Sequence, residues 1–373
     1  MDATLEHLYE VSIPAVATAH TLPLQIVSKN APTFVKDVIA PMLAGHGDGL
    51  PVSAISIDGT WPSGTTQWEK RNIADAVPVW DTSLCTQCNK CVMICPHAAI
   101  RAKIYDKTLL ESAPSTFKHM DPVGKEWDRT TEAYTLQVST EDCTGCNLCV
   151  AVCPITSKTD EHHKAVNLYE KGGIQEAEIK NWEYFLTIPE VARERVNRNT
   201  VKGSQFFQPL FEFSGACSGC GETPYLKLLT QLFGERMIVA NATGCSSIFG
   251  GNLPTTPWTM NKAGRGPAWA NSLFEDNAEF GLGIKMANDR KRDNAVSLLH
   301  QMKDEIGEEL VEELVNAPEI TEADIKAKLE RIKELKQVLS ANPTFASKNL
   351  MHLADFLAAK SMWIIGGDGW AYD

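Results

Sequence analysis

The chain has 373 residues, of which 43% are hydrophobic and 22% charged, a composition typical of a water-soluble protein with about two or three domains. Its formal net charge of -12 argues against a nucleic-acid partner, because phosphate binding draws its affinity from lysine and arginine. Since no apolar run approaches the roughly 20 residues that span a bilayer, no membrane partner is expected either.

Residues 1–71 offer no chemical motif. We expect residues 1–32 to be the end of a preceding domain, in which residues 22–27 form a buried strand or its approach. Residues 33–71 are expected to be a connector that begins with a helix-like stretch and ends in glycine- and proline-rich sequence. The connector lacks the Gly-Lys-Ser/Thr ending of a phosphate-binding P-loop, so we predict no nucleotide site there.

Eight of the eleven cysteines form two copies of one spacing, Cys-x2-Cys-x2-Cys-x3-Cys-Pro. This spacing is the signature of a two-cluster [4Fe-4S] ferredoxin module. We therefore predict an α+β ferredoxin-like two-cluster module over residues 72–190, called the cysteine module below, with a strand at 134–138 before the second copy. The first copy consists of Cys85, Cys88, Cys91, Cys95 and Pro96, and the second of Cys143, Cys146, Cys149, Cys153 and Pro154.

In this arrangement the fourth ligand of each cluster comes from the other motif. Structural zinc would need only four ligands and would leave the third and fourth cysteine of each copy without a purpose. Disulfides are not expected, because the cysteine count is odd and nothing resembles an export signal, so we expect a reduced, cytoplasmic protein. The first cluster is predicted on Cys85, Cys88, Cys91 and Cys153, and the second on Cys143, Cys146, Cys149 and Cys95.

The cysteine module is less acidic than the rest of the chain, since seven basic and eight acidic residues lie between Cys85 and Cys153. One hypothesis is that its surface attracts an acidic electron carrier, with Lys90 and Lys103 as docking residues. A mixed solvated surface is an equally good interpretation. Two histidines further on, His162 and His163, have no partner at ligand spacing, so we expect them to be surface residues.

Beyond residue 192, in what we call the C-terminal region, the sequence becomes α/β in character. Two β-rich runs, 236–241 and 361–365, each end in a glycine-containing loop, and in open α/β sheets ligands collect at the carboxyl ends of strands. Between them, residues 288–342 are predicted to be a surface helical insertion, with Thr321 and Asp324 as an N-terminal capping box. Its apolar stripe consists of Ile325, Leu329, Ile332, Leu335 and Leu339.

Three cysteines remain, Cys217, Cys220 and Cys245, and three thiols cannot saturate a cubane cluster. Taken alone, they leave zinc, a redox disulfide or chance open. The sequence around them, including Ala-Cys-Ser-Gly-Cys-Gly-Glu and Ala-Thr-Gly-Cys-Ser-Ser, closely resembles pyruvate:ferredoxin oxidoreductases. The resemblance covers nearly the whole chain, and is carried by residues 58–60, 68–72, 96–101, 212–225, 242–247 and 264–281.

This resemblance implies a thiamine diphosphate enzyme that decarboxylates pyruvate oxidatively, forms acetyl-CoA and passes electrons through three [4Fe-4S] clusters to ferredoxin or flavodoxin. The C-terminal region would then be part of an α/β thiamine-diphosphate-binding domain. The resemblance implies Cys217, Cys220 and Cys245 as ligands of the cluster nearest to thiamine. It also implies Glu222 and Cys245 as cofactor contacts and Asp368 as an oxygen ligand of Mg2+.

The family pattern extends past both ends of this chain. We therefore expect a central fragment of a larger, homodimeric polypeptide, with no catalytic residue beyond its cofactor contacts, an incomplete third cluster and no activity on its own. Two alternatives stay open: a non-catalytic iron-sulfur electron-transfer subunit, and an oxidoreductase for another 2-oxoacid. A plain electron carrier would have no need of Cys217, Cys220, Cys245 and Asp368 at strand-end loops.

Overall fold

The computed structural model describes residues 2–16, 26–251, 254–273 and 275–371, so the predicted strand at 22–27 lies mostly outside the described residues. Within these ranges, every helix falls short of the combination of length and hydrophobicity that crossing a bilayer demands. The strands are β1 (Ala76–Trp80), β2 (Ile100–Asp106), β3 (Glu132–Val138), β4 (Val166–Glu170), β5 (Met237–Asn241), β6 (Ala268–Asn271) and β7 (Ser361–Ile365). The helices are α1 (Asp2–Glu6), α2 (Ala40–Leu43), α3 (Lys90–Ile94), α4 (Leu148–Val152), α5 (Gln175–Thr187), α6 (Val201–Ser204), α7 (Thr223–Phe233), α8 (Cys245–Gly250), α9 (Asn277–Gln301), α10 (Lys303–Ile306), α11 (Glu308–Asn316), α12 (Glu322–Ala341), α13 (Phe345–Leu353) and α14 (Asp368–Ala371).

The cysteine module is built from two similar halves that exchange strands. Each half runs strand, short helix, strand, as β1-α3-β2 and then as β3-α4-β4. The antiparallel pairs join β1 to β4 and β2 to β3, so each pair takes one strand from each half. The predicted strand at 134–138 is confirmed within β3. Because neither half can pair its own strands, the two cysteine motifs must come together when the module folds.

Strand β2 is buried on both faces, which corrects one expectation. Its alternate residues Ile100 and Ala102 pack into the module core, whereas Arg101 and Lys103 point the other way. Lys103 is only 5% exposed and donates hydrogen bonds to the carbonyl oxygens of Phe185 and Ile188. The expectation that Lys103 docks a carrier at the surface is therefore wrong, because the end of α5 covers this face of β2.

The segment predicted as a connector packs against the rest of the chain. Its helix-like start is confirmed by a π-helical turn at Val35–Ile39 that continues into α2. Further on, Trp61 Nε1 donates a hydrogen bond to the carbonyl oxygen of Pro254 at 2.9 Å. The hydroxyl of Thr66, which is buried, donates to the carbonyl oxygen of Glu212, also at 2.9 Å. The glycine-rich stretch is thus held on the C-terminal region.

Two cations at the end of the predicted connector, Lys70 and Arg71, contact the cysteine module and the C-terminal region. The ammonium group of Lys70 pairs with Asp142, just before the second cysteine motif, at 2.5 Å. Arg71 donates to the carbonyl oxygens of Phe213 at 3.1 Å and Ser214 at 2.8 Å, shortly before Cys217. Adjacent residues therefore tie together the cysteine module and the loop that leads to the remaining cysteines.

The C-terminal region contains a parallel sheet in the order β6-β5-β7. Strands β5 and β7 lie within the two predicted β-rich runs, which are confirmed. Between β6 and β7, helices α9 to α13 form a bundle with its own apolar core. The capping box is confirmed, since the backbone N–H of Asp324 donates to Thr321 Oγ1 and the N–H of Thr321 donates to the Asp324 carboxylate. Four stripe residues are buried and Leu329 is half-buried.

The two adjacent histidines differ in their surroundings. His162 is exposed as expected, with its side chain 89% accessible. His163 is only 32% accessible and its Nε2 lies 2.8 Å from the carboxylate of Asp81. This hydrogen bond, with a further one from Ser83, lowers the pKa of Asp81 to about 2. His163 therefore anchors the segment after the second motif to the end of β1, which its spacing in the sequence does not indicate.

Leu335→Ala tests the core of the helical bundle. Leu335 is fully buried and shares one apolar core with Leu299, Leu314 and Leu350. Its truncation is expected to lower the free energy of unfolding of the bundle by about 2–5 kcal/mol, because it removes apolar contacts and leaves a cavity. Chemical denaturation followed by circular dichroism measures the loss. Lys333→Ala on the exposed side of α12 is the control, and equal effects of the two changes would contradict this packing.

Candidate cluster-binding site

The two cysteine motifs fold into loops of the same shape. The residue before the second cysteine of each motif has a left-handed backbone conformation. This residue is Gln87, with φ 57°, in the first motif and Gly145, with φ 66°, in the second. In both loops its backbone N–H points back at the first cysteine, with the N–H of Gln87 3.3 Å from Cys85 Sγ and that of Gly145 3.4 Å from Cys143 Sγ. An N–H directed at sulfur favours the thiolate, which is the form that binds a metal.

Gln87 occupies a backbone conformation that favours glycine, and hydrogen bonds of its side chain stabilise this conformation. Its amide nitrogen donates to the carbonyl oxygen of Asp121, and its amide oxygen accepts from the N–H of Val123, both at 2.7 Å. The side chain is completely buried. These two bonds offset the cost of the left-handed backbone and fix the first loop against the segment between the motifs.

An asparagine follows the second cysteine of each motif, and both asparagines have a left-handed backbone conformation. Asn89 has φ 57° and Asn147 has φ 65°. Asn89 is buried, donates to the carbonyl oxygen of Lys202 at 2.9 Å and accepts a hydrogen bond from the Tyr134 hydroxyl at 2.8 Å. Sequence reasoning missed this role, although the repeated Cys-Asn pair was a usable signal, because asparagine tolerates this conformation better than most residues.

Cys153 of the second motif lies beside the first. Burial raises the pKa of the Cys85 thiol, and the negative charges of Cys88 and Cys153 raise it further. Burial also raises the pKa of Cys91, with added contributions from Cys85, Cys149, Cys88 and Cys153. Cys153 of the second motif therefore lies close enough to Cys85 and Cys91 for their charges to interact, and Cys149 is also close to Cys91.

The second set has the reciprocal arrangement. Burial raises the pKa of Cys143 to about 12, and the charges of Cys95 and Cys146 contribute. The pKa of Cys149 is also raised to about 12, first by burial and then by Cys95, Cys143 and Cys146. All four of these cysteines line one cavity, together with Pro78 and Leu168. Cys95 of the first motif thus belongs spatially to the second.

The chemistry of these donors fits iron-sulfur clusters. Buried thiols with raised pKa values lose their protons when a cationic group binds them, and soft thiolates suit iron-sulfur clusters. Among the described residues, no three cysteine, histidine, aspartate or glutamate side chains converge as one bare ion would require. A cubane carries its ligands on separate iron corners and does not need such convergence.

The loop with Cys217 and Cys220 lies next to the second motif. The hydroxyl of Ser218 lies 3.3 Å from the carbonyl oxygen of Thr144, to which it donates. Gly219, with φ 76°, lies close to Cys146, since a Cβ added to this glycine would be 3.8 Å from Cβ of Cys146. Cys217 is exposed and Cys220 is half-buried. The loop therefore places two further thiols beside the second set of cysteines.

Cys245 and Asp368 follow adjacent parallel strands. Cys245 begins α8 after β5, and Asp368 begins α14 after β7. Their strands pair in register, with Asn241 opposite Ile365, and the N–H of Ala242 donates to the carbonyl oxygen of Ile365 at 2.8 Å. The side chain of Asp368 lies outside the described residues. Cys245 is exposed, as is Glu222, which directly precedes α7.

Polar side chains join the strand ends at this edge of the sheet, a feature that sequence reasoning missed. Asn241 donates to the amide oxygen of Asn271 at 3.1 Å, which links β5 to β6. Asn271 in turn donates to Thr243 Oγ1 at 3.1 Å. Asn277 at the start of α9 donates to the carbonyl oxygen of Ile365 at 3.2 Å. This network fixes the loop before Cys245 relative to both neighbouring strands.

Two family models match parts of the chain. Residues 84–156 match a 4Fe-4S double cluster binding domain. Residues 23–74 match the EKR model, described as a domain of unknown function, which includes Lys70 and Arg71. The region between β1 and the end of the second motif is therefore a double cluster domain in sequence as well as in the spacing of its cysteines.

Curated relatives align with the whole chain. It is 52% identical to the pyruvate-flavodoxin oxidoreductase of Nostoc sp. strain PCC 7120, with 100% of this chain and 32% of the relative covered. It is 52% identical to the enzyme of the same name from Rhodospirillum rubrum, covering 100% and 31%, and 43% identical to the pyruvate:ferredoxin oxidoreductase of Moorella thermoacetica, covering 100% and 32%. The chain thus spans about a third of the length of the relatives it matches, and it belongs to the family of the pyruvate:flavodoxin and pyruvate:ferredoxin oxidoreductases.

Proposed function

We propose that this chain is the electron-carrying part of an enzyme that oxidatively decarboxylates pyruvate with CoA, giving acetyl-CoA and CO2. The electrons would pass through [4Fe-4S] clusters to flavodoxin or ferredoxin. One observation carries the proposal: Cys95 of the first motif lines one cavity with Cys143, Cys146 and Cys149 of the second. The names of the relatives support pyruvate as the substrate and a small redox protein as the acceptor.

The chain's own residues would hold and shield the clusters. Cys91, Cys95 and Cys149 are buried, so water has little access to the sulfur atoms. The loop N–H groups of Gln87 and Gly145 stabilise thiolates from within each motif. When bound, the clusters supply one-electron redox chemistry at potentials that hydrogen bonds and burial adjust. Thiolate ligands also need a reducing compartment, which is the basis for placing the protein in the cytoplasm.

We further propose that the C-terminal region belongs to a thiamine-diphosphate-binding domain. The position of Cys245 and Asp368 after adjacent parallel strands supports this, because cofactors bind beyond the carboxyl ends of such strands. Asp368 would provide a carboxylate for Mg2+, and Glu222 a cofactor contact. Cys217, Cys220 and Cys245 would be three ligands of a further cluster, whose fourth ligand is not among the chain's cysteines. In its complete form the enzyme would be a homodimer.

Paired cysteine replacements test the proposed exchange. Cys88→Ser with Cys153→Ser removes two ligands of one proposed cluster, so about four irons of the eight on the two motifs should remain. Cys146→Ser with Cys153→Ser removes one ligand from each cluster and should disturb both. Iron and acid-labile sulfide are counted after anaerobic reconstitution, and the Cys217→Ser and Cys220→Ser background removes any contribution from the third site.

The opposite pattern would contradict the exchange. If each motif held its own cluster, Cys146→Ser with Cys153→Ser would spare the first cluster, and Cys88→Ser with Cys153→Ser would damage both. Zinc in place of iron in the unmodified chain would overturn the cluster assignment as a whole.

Lys90→Glu tests the approach of the carrier. Lys90 is exposed at the start of α3, between two cysteines of the first motif, and is the one of the two proposed docking lysines that lies at the surface. Reversing its charge should slow ferredoxin reduction by the reduced chain several-fold at low ionic strength, and salt should remove the difference. Stopped-flow kinetics measure the rate. Lys333→Glu, on the distant helical bundle, should leave it unchanged, and an unaffected rate in Lys90→Glu would end the docking hypothesis.

A further inference from the structure

One ammonium group is completely buried between the cysteine module and the C-terminal region. Lys227 lies on α7, which begins directly after Glu222, and only 1% of the residue is exposed. Its Nζ donates hydrogen bonds to three backbone carbonyl oxygens, those of Val92, Met93 at 2.8 Å and Cys95 at 3.3 Å. These carbonyls end helix α3, so a side chain from the C-terminal region caps the helix that follows the first cysteine loop.

This lysine is bound by carbonyl groups instead of a carboxylate. An ammonium group has three donors, and all three are used. Carbonyl dipoles at a helix C-terminus favour a cation, but a short helix offsets little of the cost of burying a full charge. Burial lowers the pKa of Lys227 to about 8, while the negative charges of Cys95 and Cys91 oppose this effect.

The carbonyl groups that Lys227 binds lie beside cysteines of different predicted clusters. Val92 directly follows Cys91 of the first set, and Cys95 belongs to the second, so the ammonium group lies beside both motif positions. A further electron on either cluster adds negative charge, and a fixed positive charge nearby stabilises that reduced form. The hydrogen bonds of Lys227 to the backbone around Cys91 and Cys95 also hold these two cysteines at a constant distance from α7.

We propose that Lys227 is a positioning residue that raises the reduction potentials of both clusters of the cysteine module. It does so by holding a buried positive charge between Cys91 and Cys95. This inference rests on the proposed function only in requiring that the two cysteine sets hold [4Fe-4S] clusters. It adds a contribution from the C-terminal region to these two clusters, whose own ligands all come from the cysteine module.

Lys227→Met tests the proposal, because methionine has a similar length and no charge. The full chain is reconstituted anaerobically and its clusters are titrated at pH 7 with the reduced-cluster electron paramagnetic resonance signal as readout. Both midpoint potentials should become more negative, each by about tenfold in the one-electron equilibrium constant, or roughly 59 mV. Lys328→Met is the matched control, since Lys328 is also fully buried and donates to a backbone carbonyl, but lies in the helical bundle away from the cysteines. Its potentials should equal those of the unmodified chain.

A second variant separates charge from hydrogen bonding. Lys227→Gln keeps a donor to the carbonyls without the charge, so it should show the same negative shift. Loaded clusters with unchanged potentials in either variant would overturn the role of Lys227 and leave the cluster assignment intact. Loss of a cluster from both variants, with the helical bundle still folded, would also overturn it in favour of a purely structural clamp. Absence of cluster signals from the unmodified chain would instead refute the proposed function.

Discussion

Buried cations hold the cysteine module to the C-terminal region, and they fix the first cysteine motif relative to α7. Arg101 pairs with Glu212, and both side chains are only 9% exposed. Lys227 of the C-terminal region enters the end of α3. Removing one partner of such a contact leaves an uncompensated charge or a row of unpaired carbonyls, at a cost of about 3–5 kcal/mol for a buried ion pair. The boundary therefore has one well-defined geometry.

The contacts at this boundary also place the Cys217 loop beside the second cysteine motif. Arg71 binds the carbonyls of Phe213 and Ser214, and Lys70 binds Asp142 beside the second motif. Both lie in the segment matched by a model of unknown function. By fixing the Cys217 loop next to the second cysteine set, this segment keeps Cys217 and Cys220 close to that set. In the proposed electron path, where transfer falls off steeply with distance, this fixed position would shorten the step between clusters.

Local features were predictable from the sequence, whereas long-range contacts were not. Strands β3, β5 and β7 and the Thr321 capping box are confirmed, because alternation, β-branched composition and cap chemistry are encoded within a few residues. The cysteine sets are a prediction from spacing that the contacts support. Lys103 was misplaced because a charged residue in a strand normally indicates solvent, and its partners at Phe185 and Ile188 are far along the chain. Lys227 gave no local signal for the same reason.

Strand pairing also sets an order of assembly during synthesis. The four strands of the cysteine module are complete once β4 has left the ribosome, and their pairing needs nothing downstream. The central strand β5, in contrast, pairs with β7 only after all the helices of the bundle have been made, and closing such a long loop is slow. The unpaired edge of β5 is thus exposed for a long interval, in which a chaperone or a growing neighbour chain could reach it first.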